Sequence, residues 1–128
     1  MTGIDGCLTE AMDIPGARGA SLVDWTSGLT LGAVGDGPDG DHEASAAEAA
    51  ELARLAVENG AFTGGGVRCD GPVEELIVTA RGSYHLFRYV ATSFDSSVFL
   101  YVWLDRTEAN LAVALFRMKD LAARLVSA

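Results

Sequence analysis

Positive charge is the scarcest property of this 128-residue sequence: eighteen acids outweigh nine bases, only one of them lysine, for a net charge of -9. That sign is wrong for gripping phosphate backbones or anionic lipid, so nucleic acid is excluded as a partner class. Cysteine is nearly as rare. Cys7 and Cys69 stand far apart with no C-x-x-C between them, which points to neither a metal knuckle nor a disulfide scaffold. Long hydrophobic runs are missing too: Val98 to Leu104 is the longest, far below the roughly 20 residues that a membrane-spanning helix needs. The first residues hold an acid and no basic-then-apolar run, so no signal peptide is expected. The expectation is a cytoplasmic protein without direct membrane insertion, recruited to a membrane only through a partner.

Catalytic patterns are likewise missing. The two histidines have no nucleophile at a recognisable spacing, and there is no G-x-S-x-G and no evident carboxylate pair. The sequence therefore reads as non-enzymatic, with no cofactor. What is present is globular: 49% hydrophobic residues against 21% charged ones, in a length that suits one domain spanning 1–128. The charge is lopsided. Residues 1–60 hold eleven acids and only Arg18 and Arg54 as bases, whereas residues 61–128 balance seven against seven. An acidic half serves solubility or steers toward a basic partner surface. The excess of arginine over lysine, with abundant alanine and glycine, is the usage of a high-GC bacterial genome.

Ile4, Cys7, Leu8 and Ala11 recur at helical spacing and predict a short helix over 3–13, stopped by Pro15-Gly16. Arg18–Asp24 and Leu29–Gly35 read as strands joined by the loop Trp25-Thr26-Ser27-Gly28, where Gly28 supplies a positive φ. The stretch from Gly35 to Asp41 is a solvated loop. Its three aspartates fail the calcium-loop template, because Ala44 and Ala50 stand where Gly and Glu are required. Asp41 is placed to cap the next helix.

That helix, 42–59, carries Glu43, Glu51, Arg54 and Glu58 on one charged arc. Opposite them lies a broad apolar arc, mostly alanine: Ser45, Ala46, Ala49, Ala50, Leu52, Ala53, Ala56 and Val57. Such slim side chains allow close approach to a sheet and to a second body alike, or simply reflect alanine's helix preference. Arg54 reads as a surface ion pair with Glu51 or Glu58.

Gly64-Gly65-Gly66 is a connector without phosphate-loop context. Strands follow over Val73–Ala80, Ser83–Ala91 and Ser97–Asp105, with turns at Arg81-Gly82 and Ser93–Ser96, which makes an antiparallel meander. The last of them is apolar on both faces and belongs in the middle of the sheet. Val73–Ala80, with adjacent acids after Pro72, belongs at an edge. His85 reads as strand filler. A final helix starts near Thr107, with Asp105 and Glu108 at capping-box-like spacing and a stripe from Leu111 to Val126. Phe116 falls off that stripe and is expected beside the first helix. The order α-β-β-α-β-β-β-α predicts an α+β fold: a five-stranded antiparallel sheet, order 2-1-5-4-3, with helices on both faces.

Ile14-Pro15-Gly16-Ala17-Arg18-Gly19-Ala20-Ser21-Leu22-Val23-Asp24, followed by Ser27-Gly28-Leu29, resembles the opening of roadblock (dynein light chain type) domains. Val73-Glu74-Glu75-Leu76-Ile77-Val78, Gly82-Ser83-Tyr84-His85-Leu86 and Leu104-Asp105-Arg106-Thr107-Glu108-Ala109-Asn110-Leu111-Ala112 continue the likeness over nearly the whole chain. It is similar above all to the roadblock proteins of actinobacterial conservon operons, which accompany a sensor kinase and a Ras-like GTPase.

The resemblance implies a homodimer. Its third strands would pair about a twofold axis into one continuous sheet, and its second helices would meet. Glu75, Ile77, Val78 and Thr79 would then lie at the interface with Ala46, Ala49, Ala50 and Ala53. It further implies a small Ras-like GTPase docked on the outer helix face, among Glu43, Glu51, Arg54 and Glu58, with no arginine finger required. A nucleotide-independent scaffold for a sensor-kinase complex is the alternative. A small-molecule sensor is another, and would need an apolar pocket under the sheet.

Overall fold

A computed structural model describes residues 3–59, 62, 73–90 and 97–127. The Gly64–Gly66 connector, the rest of the 64–72 insertion with Cys69, and the Ser93–Ser96 turn lie outside the described residues. The elements are α1 (Ile4–Ala11), β1 (Ala17–Asp24), β2 (Thr30–Gly35), α2 (His42–Glu58), β3 (Glu75–Thr79), β4 (Ser83–Val90), β5 (Val98–Asp105) and α3 (Leu111–Ser127). All strand pairs are antiparallel, in the order β2-β1-β5-β4-β3, as the pattern of apolar residues required.

The central place of β5 follows from its composition. Val98, Leu100, Val102 and Leu104 point to one face and Phe99 and Tyr101 to the other, and all are buried. On the first face, α1 and α3 close a core around Leu8, Ala11, Leu22, Leu86, Met118 and Leu121. On the second, α2 is the covering helix among the described residues, laying Ala46, Ala49, Ala50 and Ala53 on Val23, Phe87, Phe99 and Tyr101. Alanine brings the helix axis close to large rings, so bulk comes from the sheet and slimness from the helix. Tyr89 pins the arrangement by donating its hydroxyl to the Ala53 carbonyl at 2.6 Å, and burial pushes its phenol pKa up to about 12.

Asp41 caps α2 as expected, its Oδ1 accepting from the backbone N–H groups of Glu43 (2.9 Å) and Ala44 (3.3 Å). Asp41→Ala should cost about 1 kcal/mol, read as a lower denaturant midpoint at unchanged slope.

Two expectations need correction. The last helix begins at Leu111, not near Thr107. Asp105 Oδ1 binds both the N–H and the hydroxyl of Thr107, which closes a turn, and Asn110 Oδ1 accepts from Val113 N–H at the true helix start. Phe116 does not pack beside α1. It is 72% exposed, because it sits diametrically opposite the stripe of Ala114, Met118 and Leu121 that α3 buries.

Candidate functional site

Among the described residues one helix lies over the second face of five strands, and the two sheet edges differ. In β3 the carbonyl of Glu74 accepts from Tyr89 N–H (3.1 Å) and Ala80 N–H donates to the Ser83 carbonyl (2.9 Å). Antiparallel strands alternate the direction of their backbone groups, so the even-numbered residues of β3 bond to β4. Glu75, Ile77 and Thr79 therefore aim N–H and C=O outward, three positions in a row that no described residue obstructs.

The β2 edge is interrupted. Asp36 N–H donates to the Arg18 carbonyl, which puts Ala33 and Gly35 in the outward phase. His42 Nε2–H then caps the outward Gly35 carbonyl at 2.9 Å, and the register shifts between Leu22 and Val23. The β2 edge is capped at Gly35 by the chain itself; among the described residues nothing pairs with the β3 edge.

Beside the bare edge lies apolar surface. Ile77 is 41% exposed and Val78 38%. On α2, Leu52 is 42% exposed and Leu55 52%. Ala46, Ala49, Ala50 and Ala53 are buried against their own sheet, so their part in any contact with a second copy is to set how closely α2 lies. Leu55 escaped the sequence reading because it sits between the apolar and charged arcs; a leucine flanked by glutamates four residues before and three after was the available signal. Glu43, Glu51 and Glu58 are exposed on the outer surface of α2. Arg54 bridges Glu58 (3.0 Å) and Glu51 (3.9 Å), the surface pair expected of it. Arg88 holds Glu75 at 3.0 Å, which neutralises the acid nearest the bare edge.

Between α2 and the β3 end of the sheet runs a groove of about 350 Å³. Phe87 and Tyr101 form its floor and Ala49, Leu52 and Val78 its apolar walls, while Pro38, Asp39, Ser45, Glu48 and His85 complete the rim. His85 is more than filler. Its Nδ1 lies 2.6 Å from the Tyr101 hydroxyl, its Nε2 lies 2.9 Å from Ser83 Oγ, and its ring stacks on Trp103 at 6.2 Å.

Burial, reinforced by the Asp39 carboxylate, holds the Tyr101 phenol well above its usual pKa, so it keeps its proton. When the Tyr101 hydroxyl donates to His85 Nδ1, Nε2–H is the donor to Ser83; in the other tautomer Nδ1–H donates to the phenol oxygen and Ser83 donates to Nε2. In the first tautomer His85 has no lone pair with which to take the Ser83 proton, and the trio ties β4 to β5 through side chains. Among the described residues, no group of three His, Cys, Asp or Glu is placed to hold a metal ion.

Burial lowers the His85 pKa below its ordinary 6.5. The unfolded chain then holds more protons than the folded one as pH falls through 6.5, so His85 makes the protein less stable on acidification. The groups facing it are Ser83, Tyr101 and Trp103, with Glu48 and Asp39 at the groove rim. Melting curves from pH 7.5 to 5.5 should fall less steeply for His85→Gln than for the parent; equal slopes would remove His85 as the cause.

The backbone as a whole decides the likeness. A Streptomyces avermitilis roadblock/LC7 domain superimposes with a TM-score of 0.75 at 22% identity, over 96% of this chain and 94% of that one. The fold is that of roadblock/LC7 domains. Myxococcus xanthus MglB matches with a TM-score of 0.80 at 17% identity, over 97% of this chain and 85% of that one. The gliding protein MglB of Thermus thermophilus matches at 0.76 with 19% identity, over 97% and 86%. No family model and no curated protein matches the sequence itself. The roadblock/LC7 fold thus explains the element order and the position of the bare edge. No described helix of the chain is long and apolar enough to cross a membrane.

Proposed function

We propose that the protein is a non-enzymatic homodimeric adaptor that regulates a small Ras-like GTPase in a bacterial signalling complex. The observation that carries the dimer is the outward row of Glu75, Ile77 and Thr79, which no described residue pairs with, beside exposed Val78 and Leu52. An isologous contact needs a surface that complements itself, and an antiparallel strand edge does so about a twofold axis.

The phase of β3 selects the register. With Ile77 opposite its own copy, all three outward residues bond, giving about six interstrand hydrogen bonds; a shift of two residues in the sum of paired positions leaves about four within β3. In that register Leu76 meets Val78 of the second copy on the α2 face and Glu75 meets Thr79 on the other. The two α2 helices then approach through Leu52 and Leu55. A stable contact of this kind buries roughly 1,200–2,000 Å² in total.

The GTPase rests on the likeness to roadblock proteins in both motif and fold, and on the acidic outer surface of α2, which favours a basic partner face. The test is coprecipitation from the native cell with GDP- or GTP-loaded extract. The adaptor reading expects a Ras-like GTPase to be retained in one nucleotide state over the other. Retention of a sensor kinase indifferent to nucleotide would replace it with the scaffold.

A further inference from the structure

α3 carries more apolar surface than its core contacts use. Ala114, Met118, Leu121, Ala122 and Leu125 are buried in the first core. On the opposite side of the helix Val113 is 41% exposed and Phe116 72%, the highest exposure of any large hydrophobic side chain among the described residues. Ala112 and Ala123 are exposed beside them. At helical spacing these four residues form one outward strip, a contiguous patch rather than a scatter of single side chains. The strip points away from the sheet, so the proposed dimer, which uses Leu52, Ile77 and Val78, leaves it open.

Charge marks the same strip. α1 holds Asp5 and Glu10 and no base, and α2 holds four acids against Arg54. Of the three described helices only α3 is positive, with Arg117, Lys119 and Arg124 against Asp120. Arg124 is tied to Glu10 and Asp120. Arg117 and Lys119 flank Phe116 on its two sides, and neither makes an ion pair among the described residues. In a chain of net charge -9, this helix reverses the sign of the local field.

We infer that the outer face of α3 docks an acidic amphipathic helix of a protein partner. From Ala112 to Ala123 the strip runs about 17 Å along the axis, a length and shape that suit a helix laid alongside. Phe116 and Val113 are the anchors, and the alanines let the partner approach closely. Carboxylates on the partner's flanks meet Arg117 and Lys119, and the same two cations turn basic helices away. A second copy fits poorly. Outside the proposed dimer contact its acidic α2 exposes only Ala44 and Ala47 as apolar side chains, and two chains of net charge -9 repel. α2 and α3 lie on opposite faces of the sheet, so both can be occupied at once. The chain then joins a partner held by its acidic face to another held by its basic one.

The test uses the full chain, labelled with nitrogen-15, at physiological salt. The probe is a stapled helical peptide of about four turns, with leucines at i, i+3, i+4 and i+7 and glutamates on both flanks. Its counterpart keeps the leucines and carries lysines on the flanks. The signals of Val113, Phe116, Lys119 and Ala123 should move with the glutamate peptide, with an affinity at this face about tenfold above that of the lysine peptide. Phe116→Asp should abolish the response, and Arg117→Glu with Lys119→Glu should reverse the preference, while the rest of the spectrum stays in place. No movement, an equal response to both peptides, or a preference that survives the charge reversal would overturn the inference. Light scattering and vesicle flotation cover the other occupants. Loss of self-association in Phe116→Asp would give the face to a second copy. Phosphatidylglycerol vesicles that bind the parent but not Phe116→Asp, with no response to either peptide, would give it to a membrane. Either result overturns the inference. No readout here uses the GTPase or the β3 edge, so the adaptor reading and this one fail separately.

Discussion

Ile77→Pro should weaken self-association by about a hundredfold while leaving the protomer folded, because the lost donor faces outward rather than toward β4. Two backbone hydrogen bonds vanish at the twofold axis, one from each copy, and the proline rings stand where the strands must touch. Within the protomer the ladder from Glu74 to Ala80 keeps its bonds to β4, since those come from the even-numbered residues. Proline is tolerated at edge positions whose N–H points away from the sheet. Val78→Pro is the matched opposite. Its N–H belongs to the phase that bonds β4, so the substitution should destabilise the protomer by about 2 kcal/mol or more. Light scattering across a dilution series reads the first effect and thermal melts the second. Should Ile77→Pro remain dimeric at micromolar concentration, the strand-edge contact is wrong, whatever the fold. Leu52→Glu with Leu55→Glu probes the same interface from the helix side and should dissociate it without touching either core.

The architecture was readable because the most diagnostic residues are local. Val98 to Leu104 is apolar at every position, and no edge strand can be, so the middle of the sheet was assigned from one heptapeptide. The adjacent acids of Glu74-Glu75 marked the edge in the same way. The start of α3 was misplaced because Asp105, Thr107 and Glu108 carry the residue types of a helix cap. An Asx turn uses the same chemistry, and spacing alone does not separate the two.

The groove was illegible for a different reason. His85, Tyr101, Ser45 and Asp39 come from four segments, and only the strand order with α2 laid across it brings them together. The stopper on β2 hides equally well: His42 opens a helix, seven residues beyond the carbonyl it caps. On α2 the breadth of the alanine arc was plain, but not which part of it a sheet would cover. The structure spends the alanines on the sheet and leaves Leu52 and Leu55 outside.

Gly19→Ala should be the most damaging single-methyl addition among the described residues, lowering stability by about 3 kcal/mol and the melting temperature by roughly 10 °C. A Cβ built at Gly19 overlaps the carbonyl oxygen of Asp36 and comes within 2.9 Å of Trp103 Nε1. Neither neighbour can yield cheaply. The first is backbone, and the second is a ring held by its own bond, since Trp103 Nε1–H donates to that Asp36 carbonyl at 2.7 Å. The missing side chain thus lets the chain after β2 fold back over the sheet, and the fold-back sets Pro38 and Asp39 at the rim of the groove. If it does so, the alanine variant has a second signature beyond its melting curve. Freed from its acceptor and wetted, Trp103 should emit at longer wavelength. A variant that melts early yet keeps the parent emission would show that the loop holds its place without the bond to Trp103.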